Sequence, residues 1–256
     1  MRSVSIVMTY YNRPAQLLNT LKSIKYYNNV NTSDLQIIVV DDASDSNLSA
    51  KQVIKEAKVP GFLIYIKPEN KHWVNPGSPY NIGFKSVVSD IVIIQNSECA
   101  HIGPVVDIVR EQVTDKNYLT FAAYASTKEC FEKMCISDIK DWSKIYAMNS
   151  KMWYHHPEHN STNYHFTSAL TQYNLNRIGG FDERFANGYC FEDNAFVNAI
   201  KKLKLQIQTP PVEKAFVVHQ WHSKNPALRG GCPLWEKNRI LYNQILHGEI
   251  SWDWRK

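Results

Sequence analysis

The chain has 256 residues, of which 44% are hydrophobic and 12% aromatic, and this composition excludes an intrinsically disordered protein. Its 29 Lys and Arg residues exceed its 24 Asp and Glu residues only mildly, and they are scattered, so a nucleic-acid partner is not predicted. The five cysteines include no C-x-x-C pair, which argues against a disulfide framework and a structural zinc site.

The N-terminus runs straight into polar residues and has no apolar core of a signal peptide. No stretch of the chain approaches the roughly twenty apolar residues that a membrane helix needs. We therefore expect a soluble cytoplasmic protein without a transmembrane segment.

Three short apolar runs rich in β-branched residues predict buried strands at residues 4–8, 35–40 and 62–66. Apolar residues at helical spacing lie between them, first around Leu21 and then around Val53. Alternating strands and helices predict an α/β fold with a parallel sheet covered on both faces. Ligands of such sheets bind at the carboxyl ends of the strands.

Residues 75–83 form a predicted loop that enters a helix ending near residue 90. The apolar strand that follows, residues 91–94, runs into Asn96 and Glu98. Because these residues are two apart, an extended segment would place both side chains on one side, where their oxygens could hold a hard divalent cation. A helix cap or a turn is the alternative interpretation.

A helix is predicted at residues 105–113 and a single strand at residues 118–125. The composition changes over residues 126–162, which we interpret as a variable excursion with helical pieces and not as a separate domain.

Two glycines, Gly179 and Gly180, predict a turn that leads to the acidic pair Glu192 and Asp193 at the start of a helix. A carboxylate held there at the edge of a cleft could serve as a general base. The alternative is a helix N-terminal charge without a catalytic role.

A predicted strand at residues 215–218 precedes His219 and His222. The two histidines could converge on a metal ion, although such a pair is more often structural or merely exposed. The apolar residues of the C-terminal tail predict an amphipathic helix that packs back on the core.

Four segments occur in an order that resembles the family 2 glycosyltransferases of GT-A fold: residues 6–13, 39–45, 91–98 and 179–193. The resemblance covers nearly the whole chain except the excursion. It implies a Rossmann-like, mostly parallel central sheet flanked by helices, with the excursion on the acceptor side. It also implies one domain over residues 1–256, with about 1–100 as the nucleotide-binding half and about 101–256 as the acceptor and catalytic half.

The resemblance also implies the site. Its nucleotide-binding residues would be Thr9, Tyr11, Arg13, Asp41, Asp42, Asn81 and Asn96, with Asp42 accepting a hydrogen bond from uracil. Asn96 and Glu98 occupy the place of the family's D-x-D motif, whose carboxylates hold Mn²⁺ or Mg²⁺ against the diphosphate. The first Asp is absent here, so Glu98 would be the main anionic ligand.

In several metal-dependent relatives, including the β-1,4-galactosyltransferases, a C-terminal segment like residues 218–223 completes the metal shell. The resemblance therefore adds His222, and next His219, as ligands, and imidazoles favour Mn²⁺ over Mg²⁺. Asp193 matches the family's base, and Glu192 would bind the acceptor or the donor sugar.

The implied function is inverting transfer of a hexose or N-acetylhexosamine from a UDP-sugar to a hydroxyl of a glycan, protein or small-molecule acceptor. A catalytically silent nucleotide- or glycan-binding module of the same fold is the first alternative. A different nucleotide-sugar or cytidylyl chemistry is the second, and it is disfavoured because no glycine-rich, lysine-bearing phosphate loop lies near the N-terminus.

Overall fold

The computed structural model describes residues 2–145, 150–223 and 225–255, so four residues of the predicted excursion and Lys224 in the polar segment near His222 lie outside the described ranges. Within those ranges, the strands are β1 (Val4–Tyr10), β2 (Leu35–Asp41), β3 (Gly61–Tyr65), β4 (Ile91–Asn96), β5 (Cys99–Ile102), β6 (Asn117–Thr120), β7 (Ala123–Ala125), β8 (Trp153–His155), β9 (Thr167–Thr171), β10 (Gln206–Gln208) and β11 (Phe216–His219). Seven of them form a central sheet in the order β10-β6-β9-β4-β1-β2-β3, and four form a second sheet in the order β5-β11-β7-β8.

The first four strands are the predicted parallel unit. β3, β2, β1 and β4 are neighbours in that order and run parallel. In the register of the ladder Thr9 lies opposite Val40 on one side and Asn96 on the other. The polar residues that end these strands therefore meet at one edge, as expected for a ligand site.

The strand β9 was not predicted. It lies between β4 and β6 and pairs antiparallel with both. All five of its residues are buried although three are Thr or Ser, because a neighbouring strand satisfies the backbone on each side.

The prediction of one strand over residues 118–125 was wrong. The N–H of Phe121 donates to Thr167 next to the central sheet, while the carbonyl of Ala122 accepts from Val217 in the second sheet. The chain thus leaves one sheet and joins the other within two residues, and both apolar pieces stay buried.

The α-helices in the described part of the chain are α1 (Pro14–Tyr27), α2 (Ala50–Ala57), α3 (Gly77–Phe84), α4 (Val105–Gln112), α5 (Lys128–Ile136), α6 (Trp142–Ile145), α7 (Gln172–Ile178), α8 (Glu192–Lys202) and α9 (Pro233–Leu246). Apolar residues of α1, α2 and α4 pack on one face of the central sheet, and those of α3, α7 and α8 pack on the other. The predicted covering of both faces is confirmed.

The helix α3 ends at Phe84, earlier than the predicted end near residue 90. It approaches the sheet closely at Gly83, where a Cβ atom would lie 2.6 Å from Val7 and 2.9 Å from Val40. Gly83 therefore serves the packing of α3 on β1 and β2.

The tail helix α9 packs back on the protein, as predicted. Its Ile245 is buried in a cluster with Phe185 and Ala195, the last of which belongs to α8. None of the described helices combines the length and apolar character that crossing a membrane requires.

Candidate active site

A cleft of about 780 Å³ opens at the carboxyl ends of β1, β2 and β4. It is lined by most of the residues that the sequence placed in the donor and metal sites: Thr9, Tyr11, Arg13, Asp42, Asn96, Glu98 and His222. The same cleft is lined by Lys71, Trp73 and Trp221.

Asp42 is the buried acceptor at one end of the cleft. Lys71 Nζ donates to its Oδ2 over 2.8 Å, and Trp73 Nε1 donates to its Oδ1 over 3.0 Å. Lys71 also lies 4.4 Å from the ring of Tyr11, which is about half exposed. Burial raises the pKa of Asp42 above its ordinary value, although its two donors oppose that shift. Sequence reasoning did not pair Lys71 or Trp73 with Asp42, because the loop that carries them has no motif.

Asp41 has a different environment from Asp42. It is fully buried, and its two carboxylate oxygens accept the backbone N–H groups of Ser44 and Ala50 over 3.0 and 2.9 Å. It is not among the residues that line the cleft. Asp41 thus holds the turn after β2 and the start of α2, and this placement does not support a direct contact with a nucleotide.

Asn81 also lies away from the cleft lining. Its side chain accepts from the N–H of Phe181 over 2.8 Å and donates to the carbonyl of Phe181 over 2.8 Å. Its Oδ1 fills the space beside Gly180, where a Cβ atom would come within 2.3 Å. Asn81 therefore fastens α3 to the turn that precedes the acidic pair, and it does not reach the cleft.

Glu98 does not continue the strand that ends in Asn96, contrary to the sequence interpretation. Ser97 and Glu98 form a two-residue turn between β4 and β5, so the turn alternative describes this segment. Asn96 stays at the cleft, where its Oδ1 accepts from the hydroxyl of Tyr80 over 3.0 Å.

The turn brings Glu98 to the two C-terminal histidines. Nε2 of His219 lies 3.5 Å and Nε2 of His222 lies 3.7 Å from Glu98 Oε1, and ligand atoms from the three residues all lie within 4.8 Å of one another. Nδ1 of His222 lies 2.9 Å from the carbonyl of Ser223. Because a carbonyl only accepts, Nδ1 carries the proton and Nε2 presents its lone pair towards Glu98, which is the tautomer of a metal ligand.

The donor set therefore fits a divalent cation of the Mn²⁺ type. Burial and the nearby Arg13 lower the pKa of His222, which keeps its ring neutral, as ligation requires. Burial alone would raise the pKa of Glu98, but Arg13 and the two histidines hold it well below its ordinary range.

Arg13 pairs directly with the predicted metal ligand. Its Nη1 lies 2.6 Å from Glu98 Oε1, the same oxygen that faces both histidines. A cation at the three-residue cluster would therefore share that oxygen with the guanidinium or displace it.

Gln220 holds the histidine segment in place, a role that sequence reasoning missed. It is fully buried, its Nε2 donates to the carbonyls of Gln16 and Glu98 over 2.9 and 3.1 Å, and its Oε1 accepts from Asn19 over 2.9 Å. These bonds tie the residue between His219 and Trp221 to α1 and to the Glu98 turn. In the sequence, only its place beside two histidines and a tryptophan distinguishes it.

The acidic pair Glu192 and Asp193 lies in the first turn of α8, as predicted. The two residues before it, Cys190 and Phe191, both have positive φ angles, 62° and 71°. Such backbone conformations cost free energy for residues with a Cβ atom and cluster at functional sites. Asn238 stabilises this bend by donating to the carbonyl of Cys190 over 2.8 Å.

Glu192 connects the pair to the cleft. Asn75 Nδ2 donates to its Oε2 over 2.6 Å, and the two neighbours of Asn75, Val74 and Pro76, line the cleft. Burial, with the charge of Asp193, raises the pKa of Glu192 to about 7. A carboxyl in this state can hold or release a proton near neutral pH.

We expect Glu192→Gln to stabilise the protein in alkaline solution. Folding raises the pKa of Glu192 from 4.5 to about 7. Below about pH 4.5 the carboxyl is protonated in both the folded and the unfolded state and does not change stability with pH. Between pH 4.5 and 7 it ionises more readily in the unfolded state, so the free energy of unfolding falls as the pH rises. Glutamine cannot ionise, so the variant should exceed the wild type in free energy of unfolding by on the order of 1–3 kcal/mol at pH 8 and by much less at pH 5. Urea denaturation at both pH values measures this, with the exposed Glu111→Gln as the matched control. An equal difference at both pH values would contradict the assignment.

Asp193 contacts a histidine that the sequence did not single out. Its Oδ1 forms a close pair with Nδ1 of His165, whose side chain is only 5% exposed, whereas that of Asp193 is 26% exposed. His165 lies two residues before β9, a strand that was not predicted, so nothing marked it as a site residue.

Comparisons with known proteins relate this chain to a family of glycosyl transferases. Residues 5–118, which include Arg13, Asp42 and Glu98, match the family model for glycosyl transferase family 2. The poly(ribitol-phosphate) beta-N-acetylglucosaminyltransferase TarP of Staphylococcus aureus (strain N315) is 26% identical over 159 residues, 58% of this chain and 47% of that protein. The chain thus spans about half the length of this curated relative. The resemblance to family 2 is confirmed, and it supports glycosyl transfer.

Solved structures show the same fold. The mannosyltransferase PcManGT from Pyrobaculum calidifontis, solved with GDP-Man and Mn²⁺, is 13% identical with a TM-score of 0.56, and the match covers 99% of this chain and 72% of that one. The crystal structure of S. aureus TarS 1–349 is 17% identical with a TM-score of 0.55, over 85% of this chain and 60% of that one. The GT-A fold is therefore confirmed.

Proposed function

We propose, from the likeness of residues 5–118 to glycosyl transferase family 2, that this chain transfers a sugar from a UDP-sugar to an acceptor hydroxyl with inversion. One observation carries the proposal. The cleft that contains Asp42, Arg13 and Glu98 borders, through Asn75, the helix start that presents Asp193. This proximity supports a nucleotide in the cleft with a candidate base beside it.

The Asp42 end of the cleft suits the nucleoside. The half-exposed ring of Tyr11 offers a face on which a uracil ring can stack. Each carboxylate oxygen of Asp42 has a second lone pair beyond the one that Lys71 or Trp73 uses, so it can accept the N3–H of uracil. The name of the S. aureus relative gives N-acetylglucosaminyl as the group that it transfers, which favours a UDP-linked N-acetylhexosamine as the first donor to test.

The Glu98 end of the cleft suits the diphosphate. Arg13 presents a fixed positive charge there, and guanidinium groups bind phosphate oxygens in pairs. A divalent cation held by Glu98, His219 and His222 would supply further positive charge to stabilise the leaving UDP. Gln220 keeps the two histidines at the turn that carries Glu98.

Asp193 supplies the base in this proposal. Its carboxylate is partly exposed at the start of α8, where it can take the proton of an attacking hydroxyl. Transfer by direct attack needs one base and one departing group, and it inverts the anomeric carbon. Glu192 lies beside Asp193 and holds Asn75 at the cleft wall, where it can orient the sugar.

One contact favours a silent binding module as a second candidate. Arg13 already neutralises Glu98, and Asn96 stands where the related motif has a carboxylate. A site that needs no cation could bind a nucleotide without transferring its sugar.

Release of UDP from a panel of UDP-sugars, measured with and without Mn²⁺ and an acceptor mixture, decides between the candidates. We expect release from at least one UDP-sugar, faster with Mn²⁺, and a rise in melting temperature with that donor that corresponds to about 2.7 kcal/mol at a hundred times its Kd. The control is the same panel with GDP-mannose. A melting shift with UDP-sugars but no release supports the silent module, and a shift with GDP-mannose alone contradicts the UDP assignment.

A further inference from the structure

The contact between His165 and Asp193 ties the candidate base to the centre of the fold. His165 lies in the segment that enters β9, and the carbonyl of the next residue, Phe166, accepts from the N–H of Asn96 at the end of β4. On the other side of His165, the hydroxyl of Tyr164 accepts from Asn194 Nδ2 over 2.8 Å. This segment thus contacts two successive residues of α8, Asp193 and Asn194.

The ring of His165 has little freedom to move. Tyr80 packs against it edge-on, with ring centroids 5.0 Å apart and planes at 90°. Phe181, from the turn before the acidic pair, packs against it at 4.7 Å and 63°. Because both neighbours are fully buried, the direction in which Nδ1 points is set by packing.

We propose that His165 is a positioning residue for the base: its Nδ1–H holds Oδ1 of Asp193, which leaves Oδ2 directed to the acceptor hydroxyl. This inference rests on the proposed function, in which Asp193 takes that proton. A carboxylate held by one oxygen loses the rotation that would otherwise spoil its alignment with the hydroxyl.

The charges around His165 agree with this arrangement. Asp193 and Glu192 of α8 act on its charge, Glu98 adds a smaller effect, and the Tyr80 ring of α3 packs against it. Burial opposes a charge on the ring, but the three carboxylates, Asp193 foremost, outweigh burial and raise the pKa of His165. The ring therefore keeps a proton for Asp193 over a wider pH range than an isolated histidine would.

Two substitutions separate positioning from packing. His165→Asn keeps an N–H donor close to the place of Nδ1, whereas His165→Leu fills the site without a donor. We expect kcat to fall about 10²-fold in the leucine variant with the donor KM unchanged. The asparagine variant should recover most of kcat. Equal loss of kcat in both variants would overturn the proposal.

A spectroscopic measurement tests the contact independently of turnover. Long-range ¹H–¹⁵N spectra of the histidine rings, with His165 assigned by its absence in His165→Asn, should show a protonated Nδ1 in the wild type. The pKa of His165 should be lower in Asp193→Asn, because that variant removes the nearest negative charge. The proposal would be overturned if Nδ1 carried no proton, or if the pKa of His165 were the same in Asp193→Asn as in the wild type. If the wild type transfers no sugar at all, the proposed function fails, while these spectra still decide the contact.

Discussion

Asp193→Asn is expected to lower the rate of sugar transfer by about 10²–10⁴-fold, the usual contribution of a positioned general base. An amide cannot take the proton of the acceptor hydroxyl, yet it matches the carboxylate in shape. Donor binding should persist, because Asp193 is not among the residues that line the donor cleft. Initial rates with a saturating donor, and the donor Kd by titration calorimetry, measure both parts of the prediction.

The matched control for that variant is Asp107→Asn, which changes an aspartate on α4 whose side chain is 53% exposed. It should keep the wild-type rate. If Asp193→Asn also keeps that rate, the base has been assigned to the wrong residue. If it loses rate and donor affinity together, Asp193 is needed for binding and not specifically for proton transfer.

Glu98→Gln is expected to weaken Mn²⁺ binding by at least about 10–100-fold, the loss seen when even an outer-shell partner of a metal ligand is removed. Glutamine leaves the two imidazoles without the anionic ligand between them and leaves Arg13 without its partner. Transfer that depends on Mn²⁺ should fall with it. Titration of Mn²⁺ followed by electron paramagnetic resonance gives the affinity directly.

Glu111→Gln, at an exposed position of α4, is the control for the charge change. The melting temperature of Glu98→Gln should be recorded as well, because Glu98 is buried and paired. If the folded variant binds Mn²⁺ as tightly as the wild type, the metal binds elsewhere. If the wild type transfers sugar without any metal, Arg13 alone neutralises the diphosphate.

The parallel half of the fold could be predicted because its strands are continuous apolar runs that need no partner to be recognised. The strand β9 could not, since Thr167 and Ser168 are polar and become buried only through neighbours far away in the sequence. The switch between the two sheets at Phe121 and Ala122 was missed because these residues are apolar, like those on either side. The apolar run continues through it, so hydrophobicity alone cannot mark where the hydrogen-bonding partners change.

Some residues of the candidate site could be predicted to lie together. The resemblance to family 2 pointed to Asp42, and polar residues after strands pointed to Glu98 and His222; the fold brings all three to the cleft. Asp41 and Asn81 were assigned to the nucleotide site as well, but their side chains bond backbone groups away from the cleft. Such a distinction depends on which backbone groups lie nearby.

The contacts that hold the site together depend on partners distant in sequence. Gln220 reaches α1 across about two hundred residues, and Arg13 reaches Glu98 across 85. Neither pairing follows from a local pattern. The sequence therefore predicts candidate site residues more readily than the contacts that hold them in place.

Anomalous diffraction at the manganese edge, from crystals grown with UDP and Mn²⁺, tests the central claim most directly. We expect one strong peak between Glu98 and the two histidines, His219 and His222, with the diphosphate against it and the uracil beside Tyr11 and Asp42. Nucleotide density elsewhere on the surface, with no manganese peak at the three-residue cluster, would contradict it.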